Sequence, residues 1–219
     1  DDLLQEYDAV FLGTGAGIEA TMDIPGEDLK GVYTSTNYLI RANVPTEMLP
    51  PDKQQKPQIG KRVAVIGGGD TAFDCARSSI RLGAEEVTIV YRRTEAEMPG
   101  NKTERGICIE EGTRINYLQA PVEYIGDENG YVKGMKVIKM ELGEPDESGR
   151  RRPVPVAGSE YDVAVDVVIL AIGFWPDPTI GETTKDLNTD RWGLILAEPD
   201  GRTSRREIYA GGDAVSGPS

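Results

Sequence analysis

From Val63 to Ile66 the chain is continuously apolar and then runs into three glycines, Gly67, Gly68 and Gly69. A short apolar run bounded by glycine reads as a strand buried on both faces in a parallel sheet. The period then changes. Ala72, Cys75, Ala76, Ser79 and Ile80 recur at helical spacing and predict a helix over Thr71–Leu82, stopped by Gly83. Val87–Tyr91 is a second buried strand, ending in Arg92 and Arg93. A helix from Thr103 to Glu111, closed by Gly112, leads to a third short strand, Ile115–Leu118. Alternating strands and helices of this kind predict an α/β fold with a Rossmann-like parallel sheet.

From Val122 apolar and polar residues alternate instead. Val122–Ile125, a turn at Asp127–Gly130 with Asn-Gly inside it, and Val132–Leu142 predict a β-hairpin or meander layer. Glu144–Ser159 is charged and punctuated by Pro and Gly, and its Arg150-Arg151-Arg152 triplet reads as a solvated hairpin tip, with docking of an acidic partner as the alternative. Val163–Ile172 returns as one core strand, ending in Gly173. At the flanks, Tyr7–Leu12 and Ile208–Ala210 are apolar strands ending in glycine turns, the second followed by Gly212 and Asp213. Gly13-Thr14-Gly15-Ala16-Gly17 is not a second copy of the first glycine turn, because Ile18 and then Pro25-Gly26 follow before a helix can form. A helix is predicted over Ser35–Arg41, and a proline-rich surface loop over Pro45–Gly60.

Composition narrows the chemistry. The 219 residues carry a formal charge of −13, which argues against nucleic acid or an anionic membrane surface as a partner. No stretch reads as a membrane span, and no signal-peptide pattern opens the chain. Cys75 and Cys108 lie far apart and suit a reduced, cytoplasmic chain, with Cys75 on the packed face of its helix. There is no histidine, so Ser-His-Asp and Cys-His catalysis and His-ligated metals are excluded; no metal site is expected, and the chemistry must come from a cofactor.

Gly67, Gly69 and Ala72 fill the three positions of a dinucleotide fingerprint between a strand and a helix. Gly67 permits the tight turn, Gly69 lets the backbone approach a pyrophosphate, and Ala72 keeps the helix close to the sheet. Gly68, Asp70 and Thr71 complete the expected pyrophosphate site, Asp70 also reading as a helix N-cap. At the end of the next strand, where an NAD-binding fold carries an acid, stand Arg92 and Arg93. Two forked, permanently charged donors there would attract a 2′-phosphate, and the expected ligand is NADP(H). Solvated surface arginines are the bland alternative.

Three stretches carry a family resemblance: Gly67-Gly-Gly-Asp-Thr-Ala-Phe-Asp-Cys-Ala76, Val90-Tyr-Arg-Arg-Thr-Glu-Ala-Glu-Met-Pro-Gly100, and Met140–Asp146 with Gly149–Pro153. Together with Ala171-Ile172-Gly173 and Ala210–Val215, they resemble the flavoprotein reductases with two nested Rossmann domains, and most of all the small, NADPH-oxidising subunits of bacterial glutamate synthases. Related modules occur in the ferredoxin-dependent transhydrogenase and in dihydropyrimidine dehydrogenase.

The resemblance implies an NADPH domain over 31–173, inserted in a truncated FAD-binding domain represented by 1–17 and 176–219. It implies NADPH, and FAD in the intact parent protein, as cofactors. Ala171, Ile172 and Gly173 would lie near the nicotinamide half, and Gly212 and Asp213 near the flavin. Hydride would pass from NADPH to FAD, and electrons through iron–sulfur clusters to a large glutamate synthase-like subunit or another acceptor. The family's FAD fingerprint and cysteine-rich segment have no counterpart here, so the chain looks like an excised piece. Lys102, Arg105 and Cys108 stand where the family resemblance suggests a more acidic helix, and Trp175 reads either as a nicotinamide neighbour or as packing at a domain joint. No side chain is assigned as acid or base. A non-catalytic NADP(H)-binding module remains the other reading; a thioredoxin-reductase-like enzyme would need a C-x-x-C pair that this chain lacks.

Overall fold

The computed structural model describes residues 2–146 and 149–217; positions 1, 218 and 219, the outer limits of the predicted flavin segments, lie outside them. In chain order the elements are α1 (Leu3–Glu6), β1 (Val10–Leu12), β2 (Ile18–Glu19), β3 (Val32–Thr34), α2 (Ser35–Asn43), β4 (Arg62–Gly67), α3 (Asp70–Arg81), β5 (Glu86–Tyr91) and α4 (Lys102–Glu110). There follow β6 (Arg114–Tyr117), β7 (Gln119–Gly126), β8 (Val132–Pro145), β9 (Arg151–Pro155), β10 (Tyr161–Ala164), β11 (Val167–Ala171), β12 (Phe174–Trp175), α5 (Thr179–Thr183), β13 (Ile208–Ala210) and α6 (Asp213–Ser216). They group into two compact units, Thr21–Ile172 and Asp1–Ala20 with Gly173–Ser219.

The unit Thr21–Ile172 is built on a five-stranded sheet in the order β3-β11-β4-β5-β6, parallel throughout. Strand alternation sends successive side chains to opposite faces, and both faces are covered. Val63, Val65, Val87, Ile89, Val167 and Ile169 pack with Tyr38 of α2, Ala72, Phe73, Cys75 and Ala76 of α3, and Cys108 of α4. On the other face Ala64, Ile66, Val90, Val168 and Leu170 pack with Tyr124 of β7 and Met135 and Val137 of β8. That second layer is the predicted hairpin, β7 antiparallel to β8, with β10 on the opposite edge of β8. Arg77 of α3 binds Glu104 at 2.9 Å and Glu111 at 3.0 Å, tying α3 to α4.

Three expectations need correction. Val163–Ile172 is not one strand: the backbone changes partner at Val165 and Asp166, from β8 to β4, so β10 and β11 belong to different sheets. Asp166 accepts the Arg62 backbone N–H at 2.9 Å and its guanidinium at 2.6 Å, which fixes the break. The span Glu144–Ser159 holds a strand, because β9 pairs antiparallel with β8. Tyr7–Leu12 is a strand only from Val10, with Leu3–Glu6 a helical turn.

In the other unit, β1 and β13 pair in parallel, Val10 opposite Ile208 and Leu12 opposite Ala210. β2 and β12 pair antiparallel. The buried centre is Leu187, Ile195, Ile208, Ala210 and Ala214. Trp175 stacks on Trp192 with centroids 5.7 Å apart. Gly13–Gly17 forms no helix.

Candidate functional site

The chain switches direction across the central sheet between β4 and β11: from β4 it builds outward through β5 and β6, and β11 returns on the other side. The carboxyl ends of the two strands at such a switch bound the crevice where open α/β sheets bind ligands. Gly67 closes β4 and Ala171 closes β11, and the two are paired in register.

The glycine turn is shaped from three sides. A Cβ on Gly67, whose φ is 140°, would lie 2.0 Å from the Ala171 carbonyl oxygen. One on Gly68 would lie 2.6 Å from the Tyr91 ring, whose hydroxyl donates to the Glu97 carbonyl at 2.8 Å. Nothing lies within 4 Å of one on Gly69, so the backbone there faces open space. The N-cap of α3 is Gly69, and no side chain caps the helix. Asp70 is therefore the first helical residue rather than the cap. Its Oδ1 accepts the Asn101 backbone N–H at 2.7 Å and holds the next loop beside the turn. The first bond into the helix is Ala72 N–H to the Gly69 carbonyl, at 2.9 Å. The amides of Gly69, Asp70 and Thr71 precede it, at the positive end of a twelve-residue helix, and suit an anion.

The two arginines after β5 are separated by the fold. Arg92 is exposed. Loss of hydration beside the surrounding protein, and then the like charges of Arg93 and Arg150, hold its guanidinium below the usual arginine range. Arg93 is only 5 % exposed. Its Nη2 binds Asp146 Oδ2 at 2.8 Å, and its Nε donates to the Arg151 carbonyl at 2.7 Å. The pair expected to act together is thus one open cation and one cation already neutralised by a carboxylate. Ala171 is buried and Ile172 half open at the far wall. In the other unit Gly173 has φ 107° and Gly212 φ 68°, and Asp213 opens α6.

Several residues of this region carried no sequence signal. Asn101 caps α4 through Thr103 N at 2.8 Å. Glu97 binds the Thr94 hydroxyl and the Arg151 guanidinium, and these bonds, Thr94 first, hold its carboxyl below the usual range. Asp146 could be linked to Arg93 only through the fold. Arg105, a departure from the family pattern, is buried and paired with Glu95 at 2.7 Å.

A profile of the family described as "Pyridine nucleotide-disulphide oxidoreductase" matches residues 2–219. The chain belongs to this family. It is 44 % identical over 225 residues to the glutamate synthase [NADPH] small chain of Halomonas elongata, covering 99 % of this chain and 47 % of that protein. It is 38 % identical over 247 residues to the NADPH-Fe(3+) oxidoreductase subunit beta of Geobacter sulfurreducens, covering 100 % of this chain and 35 % of that protein. The chain therefore spans between about a third and a half of these relatives' lengths. Among solved structures, Mycobacterium tuberculosis FprA in complex with NADPH superposes with a TM-score of 0.77 at 22 % identity, over 100 % of this chain and 60 % of that one, a likeness of fold. Among the described residues no helix is long and apolar enough to cross a membrane.

Proposed function

We propose that this chain is the NADPH-binding module of a flavin-dependent oxidoreductase that passes hydride from NADPH to FAD, in an electron-transfer protein like the glutamate synthase small subunit. The observation that carries this reading is the uncapped N-terminus of α3 at a glycine turn, with open space at Gly69 and an exposed arginine at the end of the next strand. The names of both relatives specify NADPH, which favours the phosphorylated nucleotide.

On this reading Thr21–Ile172 holds NADPH. The Gly67–Gly69 turn and the amides of Asp70 and Thr71 take the pyrophosphate, Arg92 takes the 2′-phosphate, and Ala171 and Ile172 line the nicotinamide half. Gly212 and Asp213 are assigned to the flavin on family membership alone, within the unit that would complete the FAD-binding domain. Bound NADPH and FAD supply a hydride donor and its acceptor. The chain's residues bind and orient the donor, and none needs to move a proton, since transfer between rings depends on alignment. The acceptor beyond the flavin is proposed to be a large glutamate synthase-like subunit, or another protein reached through iron–sulfur clusters, in the cytoplasm. Cys75 and Cys108 are both buried and sit on different helices, so they offer no support to a disulfide reductase.

Calorimetric titration with NADPH and NADH tests the nucleotide assignment. NADPH should bind more tightly by about 1.5–3 kcal/mol, the worth of a hydrogen bond to a charged group, and Arg92→Ala should erase the difference. Equal affinities for the two nucleotides would sink the assignment. NADPH oxidation with added FAD, followed by absorbance, separates a catalytic module from a binding-only one.

A further inference from the structure

The segment between β5 and α4 has no part in that reading, yet it grips the glycine turn. Two consecutive amides do so. Gly100 N–H donates to the Gly68 carbonyl at 3.1 Å, and Asn101 N–H donates to Asp70 Oδ1 at 2.7 Å. The segment is itself anchored at both ends. Tyr91, closing β5, donates its hydroxyl to the Glu97 carbonyl at 2.8 Å, and Asn101 Oδ1 accepts the Thr103 N–H at 2.8 Å at the start of α4. Between these anchors the fit is close. A Cβ on Gly100 would lie 2.5 Å from the Phe73 ring and 3.0 Å from the Gly68 carbonyl oxygen, and one on Gly68 would lie 3.2 Å from Met98 Cε.

The peptide plane turns this grip into an argument about the ligand. In a trans peptide the C=O and the following N–H point in opposite directions, and the Gly68–Gly69 peptide is trans. With the Gly68 carbonyl held by Gly100, the Gly69 N–H is aimed away from the segment, on a residue with open space beside it. A carbonyl or carboxylate oxygen turned toward a pyrophosphate would repel it. The segment instead engages both Gly68 O and Asp70 Oδ1, which leaves the amides of the turn to meet an anion. We propose that Met98–Asn101 is a positioning element of the pyrophosphate site, and that the Asp70 side chain is a positioning group that holds it through an acceptor oxygen rather than through charge. The proposal rests on the nucleotide reading above.

The test compares 2′,5′-ADP with 2′-AMP, which lacks only the 5′-phosphate that reports on the turn, by calorimetry on the whole chain. Asp70→Asn keeps an acceptor oxygen and loses the charge, whereas Asp70→Ala loses both. The ratio of 2′,5′-ADP to 2′-AMP affinity should be about fivefold higher in Asp70→Asn than in Asp70→Ala, the worth of one hydrogen bond. A merely structural role would weaken both ligands together and leave the ratio alone. Asn101→Pro removes the donor at a φ of −58°, which proline adopts, and in that chain the difference between the two Asp70 variants should vanish. If Asn101→Pro fails to fold, the Asp70 pair, at an exposed position, still decides. Equal ratios in Asp70→Asn and Asp70→Ala overturn the proposal. So does a difference that persists in Asn101→Pro. A wild-type chain that binds 2′,5′-ADP no more tightly than 2′-AMP overturns the nucleotide reading at this turn itself.

Discussion

A methyl group added at Gly67 would sit 2.0 Å from the Ala171 carbonyl, at a φ of 140° that side chains rarely adopt, whereas one added at Gly69 would meet nothing within 4 Å. On the proposed reading the two glycines of the fingerprint answer to different pressures, one to the fold and one to the ligand. Gly67→Ala should destabilise the protein by about 3 kcal/mol or more, since strain and a backbone clash add. Gly69→Ala should melt close to wild type and lose nucleotide affinity, because its Cβ would stand where the pyrophosphate approaches. Thermal melts and titrations of the two variants separate these outcomes; a Gly69→Ala chain that binds NADPH normally would remove the ligand from this turn. The glycine turn between β4 and α3 was legible from spacing alone. The burial of Arg93 was not, because its partner Asp146 is 53 residues away in sequence and nothing local marks the pair.

At the scale of elements, periodicity predicted β4, α3, β5, α4, β6 and the β7–β8 hairpin, each of which carries its own apolar pattern. It missed the break between β10 and β11, because Val163–Ile172 is apolar apart from Asp166, and only the change of strand partner ends one element and starts the next. It missed β9 because Arg151-Arg152-Pro153-Val154-Pro155 has the charge and proline of a loop; such a strand survives because it pairs on one side only, with β8. Asp166 offers a test by pH. The Arg62 side chain, and then its backbone N–H, hold the Asp166 carboxyl below its usual value. A depressed carboxylate stabilises above the unfolded pKa, about 3.9, and that contribution is lost as pH falls through the lower folded value. Asp166→Asn should therefore cost about 1–2 kcal/mol at neutral pH, discounted for the solvent around Arg62, with the gap closing below about pH 4. Urea denaturation of both proteins across that range checks it, and a gap that persists at the acid end would show that the charge is not the cause.

For the whole molecule, the informative contrast lies between its two units. The sheet of Thr21–Ile172 is covered on both faces, and Val65, Ile89, Val167 and Ile169 are fully buried. The unit Asp1–Ala20 with Gly173–Ser219 gathers a centre of five buried side chains around a two-stranded parallel pair, while Phe11, in the middle of β1, is 67 % exposed. The two strands were legible as short apolar runs ending in glycine turns; the small core around them was not, because Leu187 and Ile195 lie in a stretch with no period. A two-stranded sheet on so small a core has little to hold it against local opening. Hydrogen exchange read by mass spectrometry should therefore find the amides of β4, β5 and β11 exchanging last, near the limit of global unfolding. Those of β1 and β13 should exchange through openings lower by about 2 kcal/mol or more, although their strands are hydrogen-bonded in register. Equal protection in the two sheets would mean that the smaller unit unfolds only with the larger one, and that the buried area of its own core does not set its stability.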